Sequence, residues 1–318
     1  MKLPRRLEQI LKKKQDFIDS SREKLNNSII RLQSKWLDTI VTEVITELDV
    51  KDGVIQDTEK NYRLITQLDS VYKKFSADQN RILALQVTQA AAKIGTMSEN
   101  YFSLTLGGRF DKVTEAARKA TDLRFGLDGG QFVRGGLLEG LFSEWGTTEV
   151  KQIMSKAVSG QMDMKEFIRQ MRGFVTGTAE KEGISERKFK QFAFDIYQQY
   201  DATYNAKLAE EFNMKYFVYQ GDLVTDSRDF CAAHVGKVYT TKESEEWKTW
   251  TPARGQQERA YPADYEIKQK DIYAIPSYLG YPGYDPIIDR GGYNCRHHLA
   301  YISEELAFER RPELKIKS

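Results

Sequence analysis

The first hundred residues distribute apolar and polar side chains with the period of an α-helix. Between residues 5 and 50, Leu7, Ile10, Leu11, Phe17, Ile18, Leu25, Ile29, Leu32, Trp36, Ile40, Val44 and Leu48 recur mostly at intervals of three, four or seven. That spacing stacks side chains on one stripe and predicts one long amphipathic helix. Asp52-Gly53 is its expected stop, because glycine accepts the left-handed conformation that closes a helix. A second helix is expected from about Asp57-Thr58, with Tyr62, Ile65, Leu68, Tyr72 and Phe75 on one face. Ser76-Ala-Asp-Gln79 has the form of a capping box, which predicts a restart before Leu83, Val87, Ala90, Ile94, Met97 and Tyr101 resume the stripe. Residues 1–105 therefore read as a long helical hairpin or small bundle. Such a bundle either buries its own stripe or serves as a docking or oligomerisation stalk. Long helices bury little alone, so a partner surface is expected.

The pattern changes at residues 106–146, where Gly107, Gly108, Gly126, Gly129, Gly130, Gly135, Gly136, Gly140 and Gly146 crowd among phenylalanines. Glycine at this density disfavours helix, and a connector is expected. No lysine stands in a Walker arrangement, which argues against a phosphate-binding loop. Helical spacing returns over residues 147–214: Val150, Ile153, Met154 and Ala157, then Phe167, Ile168 and Met171 after an Asp163 cap. A longer helix with Phe189, Phe192, Ile196, Tyr200, Tyr204 and Leu208 follows Ser185. From Met214 the period shortens. Tyr216–Tyr219 and Lys237–Thr240 read as strands, with a short helix between Asp226 and His234. Trp247 to Tyr293 is rich in tyrosine, proline and glycine. Residues 215–305 are thus expected to form a small, loop-rich α+β domain, and 306–318 a charged tail. The fold class is mainly α with a C-terminal α+β domain.

Composition sharpens this division. Of seven prolines only Pro4 precedes Pro252, and all three histidines and both cysteines lie in the last third of the 318 residues. Apolar residues make up 40% and charged residues 30%, with a net charge of +2. That balance supports a core and gives no whole-molecule attraction to nucleic acid or anionic lipid. No apolar run spans a membrane or forms a secretory signal, and two cysteines are too few for a disulfide scaffold. Folding in a reducing cytoplasm is expected. Arg5, Arg6, Lys12, Lys13 and Lys14 are the residues that would contact DNA, although Glu8, Asp16 and Asp19 interrupt them as on an ordinary solvated helix face.

The residues able to carry chemistry fall into two runs, Thr225-Asp-Ser-Arg-Asp-Phe-Cys231-Ala-Ala-His234 and Gly291-Gly-Tyr-Asn-Cys295-Arg-His-His298. Zinc favours thiolate and imidazole in sets of four. Cys231, His234, Cys295 and His298, with His297 as an alternative ligand, would make such a site. The same residues are compatible with buried polar packing, with a cysteine nucleophile activated by histidine, or with a Cys231–Cys295 disulfide. Nothing in the sequence supplies an orienting third group or an oxyanion hole, so no catalytic residue is assigned. Arg228 and Arg296 flank the two runs and are expected to hold Asp226, Asp229 or a backbone carbonyl.

The runs QFAFDIYQQYDATYN and EEFNMKYFVYQGDLVTDSRDFCAAHVGKVYT, followed by GGYNCRHHL, together resemble the phage head-morphogenesis, or Mu F-like minor head protein, family over roughly residues 147–303. The elements that carry the resemblance are Asp226, Arg228, Cys231, Gly236, Asn294, Cys295 and Arg296. Where many relatives have Cys-Arg-Cys, this chain has Cys295-Arg296-His297-His298. The resemblance implies a low-copy component of tailed-phage heads, in the head interior or at the portal vertex after assembly in the host cytoplasm. Its partners would be the portal or major capsid protein and possibly packaged DNA, with no small-molecule substrate. The domain also occurs fused to toxin-like enzymes. A metal-dependent nuclease-like or toxin-like enzyme centred on His234, His297 and His298, and an internal cargo protein released with DNA, are the alternatives.

Overall fold

A computed structural model describes residues 3–128, 131–133, 147–178, 180–224, 227–249, 285–291 and 295–316. The protein is mainly helical with a small C-terminal α+β region, as its periodicity predicts. Two compact units are each built from separate stretches of chain. One comprises residues 1–19, 91–121 and 194–318, and the other residues 20–90 and 122–193. The long helices α1 (Arg5–Glu43) and α2 (Glu59–Leu106) contribute residues to both.

In the unit containing residues 20–90, the expected stripe is the core. Leu25, Ile29, Leu32, Trp36 and Ile40 of α1 are buried, as are Leu64, Ile65, Leu68 and Tyr72 of α2. Trp36 packs its indole 5.1 Å from the rings of both Tyr72 and Phe75. Tyr62, expected on this face, is instead exposed, and Leu64 takes the inward position.

Two expected helix boundaries differ. Asp52 and Gly53 both have positive φ and form the two-residue turn of a hairpin, β1 (Val50–Lys51) with β2 (Val54–Ile55), after α1 has already ended. A hairpin turn of this hand needs two left-handed residues, which Asp-Gly supplies. Ser76 does not restart a helix. Its hydroxyl donates back to the Lys73 carbonyl inside an unbroken α2, the local bond that competes with capping.

Buried Asn61 locks the hairpin to α2 by accepting from the Asp49 amide (2.8 Å) and donating to the carbonyls of Asp49 (3.1 Å) and Gln56 (2.7 Å). The same hairpin pairs with the turn between α4 (Thr147–Ser159) and α5 (Met164–Val175), where Met164 N donates to Gly53 O. Asp163 caps α5 as predicted, accepting from the Lys165 and Glu166 amides.

The glycine-rich stretch is only partly a connector. Asp111–Phe125 forms a helix, α3, in the gap between Gly108 and Gly126, and Leu127–Asp128 (β3) pairs with Gln131–Phe132 (β4). Residues 134–146 lie outside the described residues.

In the other unit, the part of α6 (Ile184–Glu211) from Phe194 onward presents buried Tyr197, Tyr200, Tyr204 and Leu208. The side chains of residues 184–195, including Phe189 and Phe192, lie outside the described ones. Beyond α6 a three-stranded antiparallel sheet has the order β6 (Val238–Thr240), β5 (Tyr216–Gln220), β7 (His298–Ile302). β7 is a strand that the sequence reading did not anticipate. Tyr101 of α2 donates to the Tyr301 carbonyl at 2.8 Å, and Phe102 packs between Phe212 and Tyr301. After β7, α9 (Glu304–Arg310) follows α8 (Pro286–Asp289) in chain order, and Arg311 forks onto Glu243 at 2.9 and 3.0 Å. No helix among the described residues is long and apolar enough to cross a membrane.

Lys14 corrects one expectation. It is not part of a basic surface: its ammonium is buried and lies 2.7 Å from the Asp201 carboxylate and 3.2 Å from the Ser98 hydroxyl. Arg5, Arg6, Lys12 and Lys13 remain exposed. The pair has side-chain exposures of 4% and 1%, so removing one partner strands a buried charge. Lys14→Ala is expected to destabilise the protein by about 3–5 kcal/mol in urea unfolding followed by circular dichroism. The Lys14→Met, Asp201→Leu double variant should recover most of that loss, because it leaves no unpaired charge.

Candidate metal centre

The two chemistry-bearing runs meet at one end of β5. Burial of β5 on both edges requires a hydrogen-bonded neighbour on each side. On one side, α7 (Asp229–His234) leads directly into β6. Val235 N closes α7 on Cys231 O, Gly236 adopts φ +79° and donates its amide to Tyr219 O, and Tyr219 N donates to Lys237 O. On the other side, Cys295-Arg296-His297 runs directly into β7, whose His298 pairs with Gln220 and whose Leu299 pairs with Tyr219. Satisfying β5 therefore carries Cys231 and Cys295 to the same strand end.

There the Cys231 and Cys295 sulfurs are 4.0 Å apart, and Cys295 Sγ lies 3.6 Å from His297 Nδ1. All three side chains are buried, and their ligand atoms lie within 4.8 Å of one another. A tetrahedral ion with bonds of about 2.3 Å to sulfur and about 2.0–2.1 Å to nitrogen has edges of roughly 3.8 Å between sulfurs and 3.5 Å between sulfur and nitrogen. The 4.0 Å between the sulfurs and the 3.6 Å from Cys295 to His297 are close to those edges. Two glycines make the approach possible. A Cβ on Gly291 would sit 2.7 Å from Cys231 Sγ and 3.0 Å from Cys295 Sγ, and one on Gly221 would sit 2.6 Å from the His297 ring. Gly291 thus leaves open the space against the sulfurs that a side chain would fill. Cys231, Cys295 and His297 could hold a metal ion.

The third position corrects the expected ligand set: His297, the alternative, joins the cysteines, whereas His234 and His298 do not. His234 donates from Nδ1 to the Phe230 carbonyl at 2.6 Å and stacks on the Phe230 ring. Its protonation is disfavoured first by burial. His298, the first residue of β7, pairs with Gln220 and lies outside the cluster of ligand atoms. Of the motif residues, Arg228 is half-buried and its charge reaches Cys231, while Arg296 is exposed. Gly236 has the backbone role just given. Asp226 and Asn294 lie outside the described residues.

The electrostatics of the pair are asymmetric. Hydrogen bonding to Cys295 and then burial push the Cys231 thiol up. The bond from Cys231 holds Cys295 well below the ordinary thiol range, with His297 and the buried Arg290 guanidinium adding to it. Cys295 is thus the more acidic thiol of the two. Tyr219, absent from the sequence expectation, adds a hydroxyl 3.5 Å from Cys231 Sγ and 3.3 Å from Cys295 Sγ. Burial first, then the cysteine charges, raise it well above the usual phenol value. Its position was hidden because a tyrosine in a strand core carries no ligand signature. Gly291 had a visible trace in the Gly291-Gly292 pair before Cys295.

His298 gives a pH test. Burial, and secondarily the charge of Lys14, hold its imidazole down at about 3, and its Nε2 has no hydrogen-bond partner among the described residues. The unfolded value is about 6.5. Between those values the unfolded chain binds the extra proton, so this contribution to stability is lost as pH falls from about 6.5 toward about 3. His298→Gln is expected to flatten the fall of melting temperature between about pH 6.5 and pH 4, and an unchanged slope would mean that the imidazole is solvated. No protein-family model, curated protein or solved structure matches this chain.

Proposed function

We propose that this protein is a minor head component of a tailed phage, acting by assembly, and that its C-terminal domain is pinned by zinc. The observation that supports the reading is the 4.0 Å approach of Cys231 and Cys295 across 64 positions of sequence. Cys231 and Cys295, one from each of the two elements on which the resemblance rests, lie together at the end of β5. Zinc is the favoured ion because two thiolates and an imidazole are its preferred donors. Bound there, it would neutralise buried sulfur charge and tie α7 to the approach of β7. Docking to the portal or major capsid protein is assigned to the long helices.

A second reading, a metal-dependent enzyme, draws on one observation. Three protein ligands is the number found where zinc keeps a catalytic position open.

Metal analysis by mass spectrometry should find about one zinc per chain, lost in Cys231→Ser, Cys295→Ser and His297→Ala and retained in His234→Ala. Zinc-free wild-type protein, purified without chelator, would remove the metal. For the assembly role, quantitative mass spectrometry of purified particles should detect the chain at low copy in both procapsids and filled heads. A chain found only as free monomer in the infected-cell extract would defeat that role. Cleavage of DNA or RNA by the zinc-, magnesium- or manganese-loaded protein, abolished by His297→Ala, would establish the enzyme instead.

A further inference from the structure

Three polar atoms, the two sulfurs and the Tyr219 hydroxyl, converge beside Gly291. The Tyr219 hydroxyl caps the sulfur pair at 3.5 and 3.3 Å, and a Cβ on Gly291 would lie 3.2 Å from it as well as against both sulfurs. In a tetrahedral site a sulfur-to-oxygen edge is roughly 3.5 Å, so both of these distances are ligand edges as well as hydrogen-bond lengths. The ring of Tyr219 stacks alongside His297 with centroids 5.3 Å apart and 24° between planes. Gly236 and Lys237 fix the Tyr219 backbone through both its carbonyl and its amide. The phenol is therefore held in place by the fold and does not depend on an ion to order it.

Resting on the metal reading above, we infer that Tyr219 is the fourth ligand and closes the site as two sulfurs, one nitrogen and one oxygen. The buried Arg290 guanidinium, whose charge reaches Cys295, offsets the negative charge of such a donor set. A closed set leaves no coordination position for water or substrate. It makes the centre a structural pin, and it separates this protein from the three-ligand enzyme sites that keep a position open.

The alternative role for Tyr219 is a hydrogen-bond donor to sulfurs that bind the metal without it. Losing an outer donor of that kind weakens metal binding by roughly 10–100-fold, so affinity alone does not separate the two roles. The test loads the full chain and its Tyr219→Phe variant with cobalt(II) and records the ligand-field spectrum with and without azide. The wild type should give a tetrahedral spectrum that azide leaves unchanged. The variant keeps the ring and should still show sulfur-to-cobalt charge transfer, but with a shifted ligand-field band that azide perturbs. A wild-type spectrum that responds to azide, or a variant spectrum identical to wild type and inert to azide, overturns the inference and leaves the metal site standing. Failure of the wild type to bind cobalt removes both. The wild-type arm decides the matter even if the variant does not fold.

Discussion

The central constraint is the double pairing of β5. A strand buried on both edges must hydrogen-bond on both edges, and Tyr216–Gln220 does so through β6 and β7. Each partner is immediately preceded by one of the two chemistry-bearing runs, so the pairing that satisfies the backbone also assembles the site. Register matters as much as pairing. Tyr219 opposes Leu299 and Gln220 opposes His298. A slip of one residue would turn Tyr219 to the opposite face of the sheet and leave the sulfurs without their hydroxyl neighbour.

Two buried polar groups in the same unit solve the problem of charge in different ways. Lys14, Asp201 and Ser98 form a self-contained set, in which cation meets anion at 2.7 Å and the hydroxyl bonds to both. Cys231, Cys295 and Tyr219 are all acids, and a buried anion among them costs free energy unless a cation faces it. The nearby Arg290 and Arg228 charges partly answer that cost. The sulfurs and the His297 imidazole gather closely enough that a divalent ion could answer it.

The stripe from Leu25 to Ile40 and the Asp163 cap were legible because they depend on local periodicity and on one side chain reaching its own backbone. Asp52-Gly53 was ambiguous, since a helix stop and a hairpin turn both call for left-handed residues. The α3 helix was hidden because its glycine-free run lies inside a glycine-rich window. Lys14 read as surface charge because its partner, Asp201, is remote in sequence.

The amino-acid sequence by itself determined the mainly helical class, the change of period near Met214 and the concentration of cysteine and histidine in two runs. These are properties of neighbouring residues and of composition. Only the tertiary structure decided that His297, not His298 or His234, completes the cysteine pair, and that Tyr219 and Gly291 shape the space between the sulfurs. In an extended segment adjacent side chains point to opposite sides. Which of two neighbouring histidines meets Cys295 is therefore settled by the register of β7 on β5, a long-range pairing that no local spacing encodes.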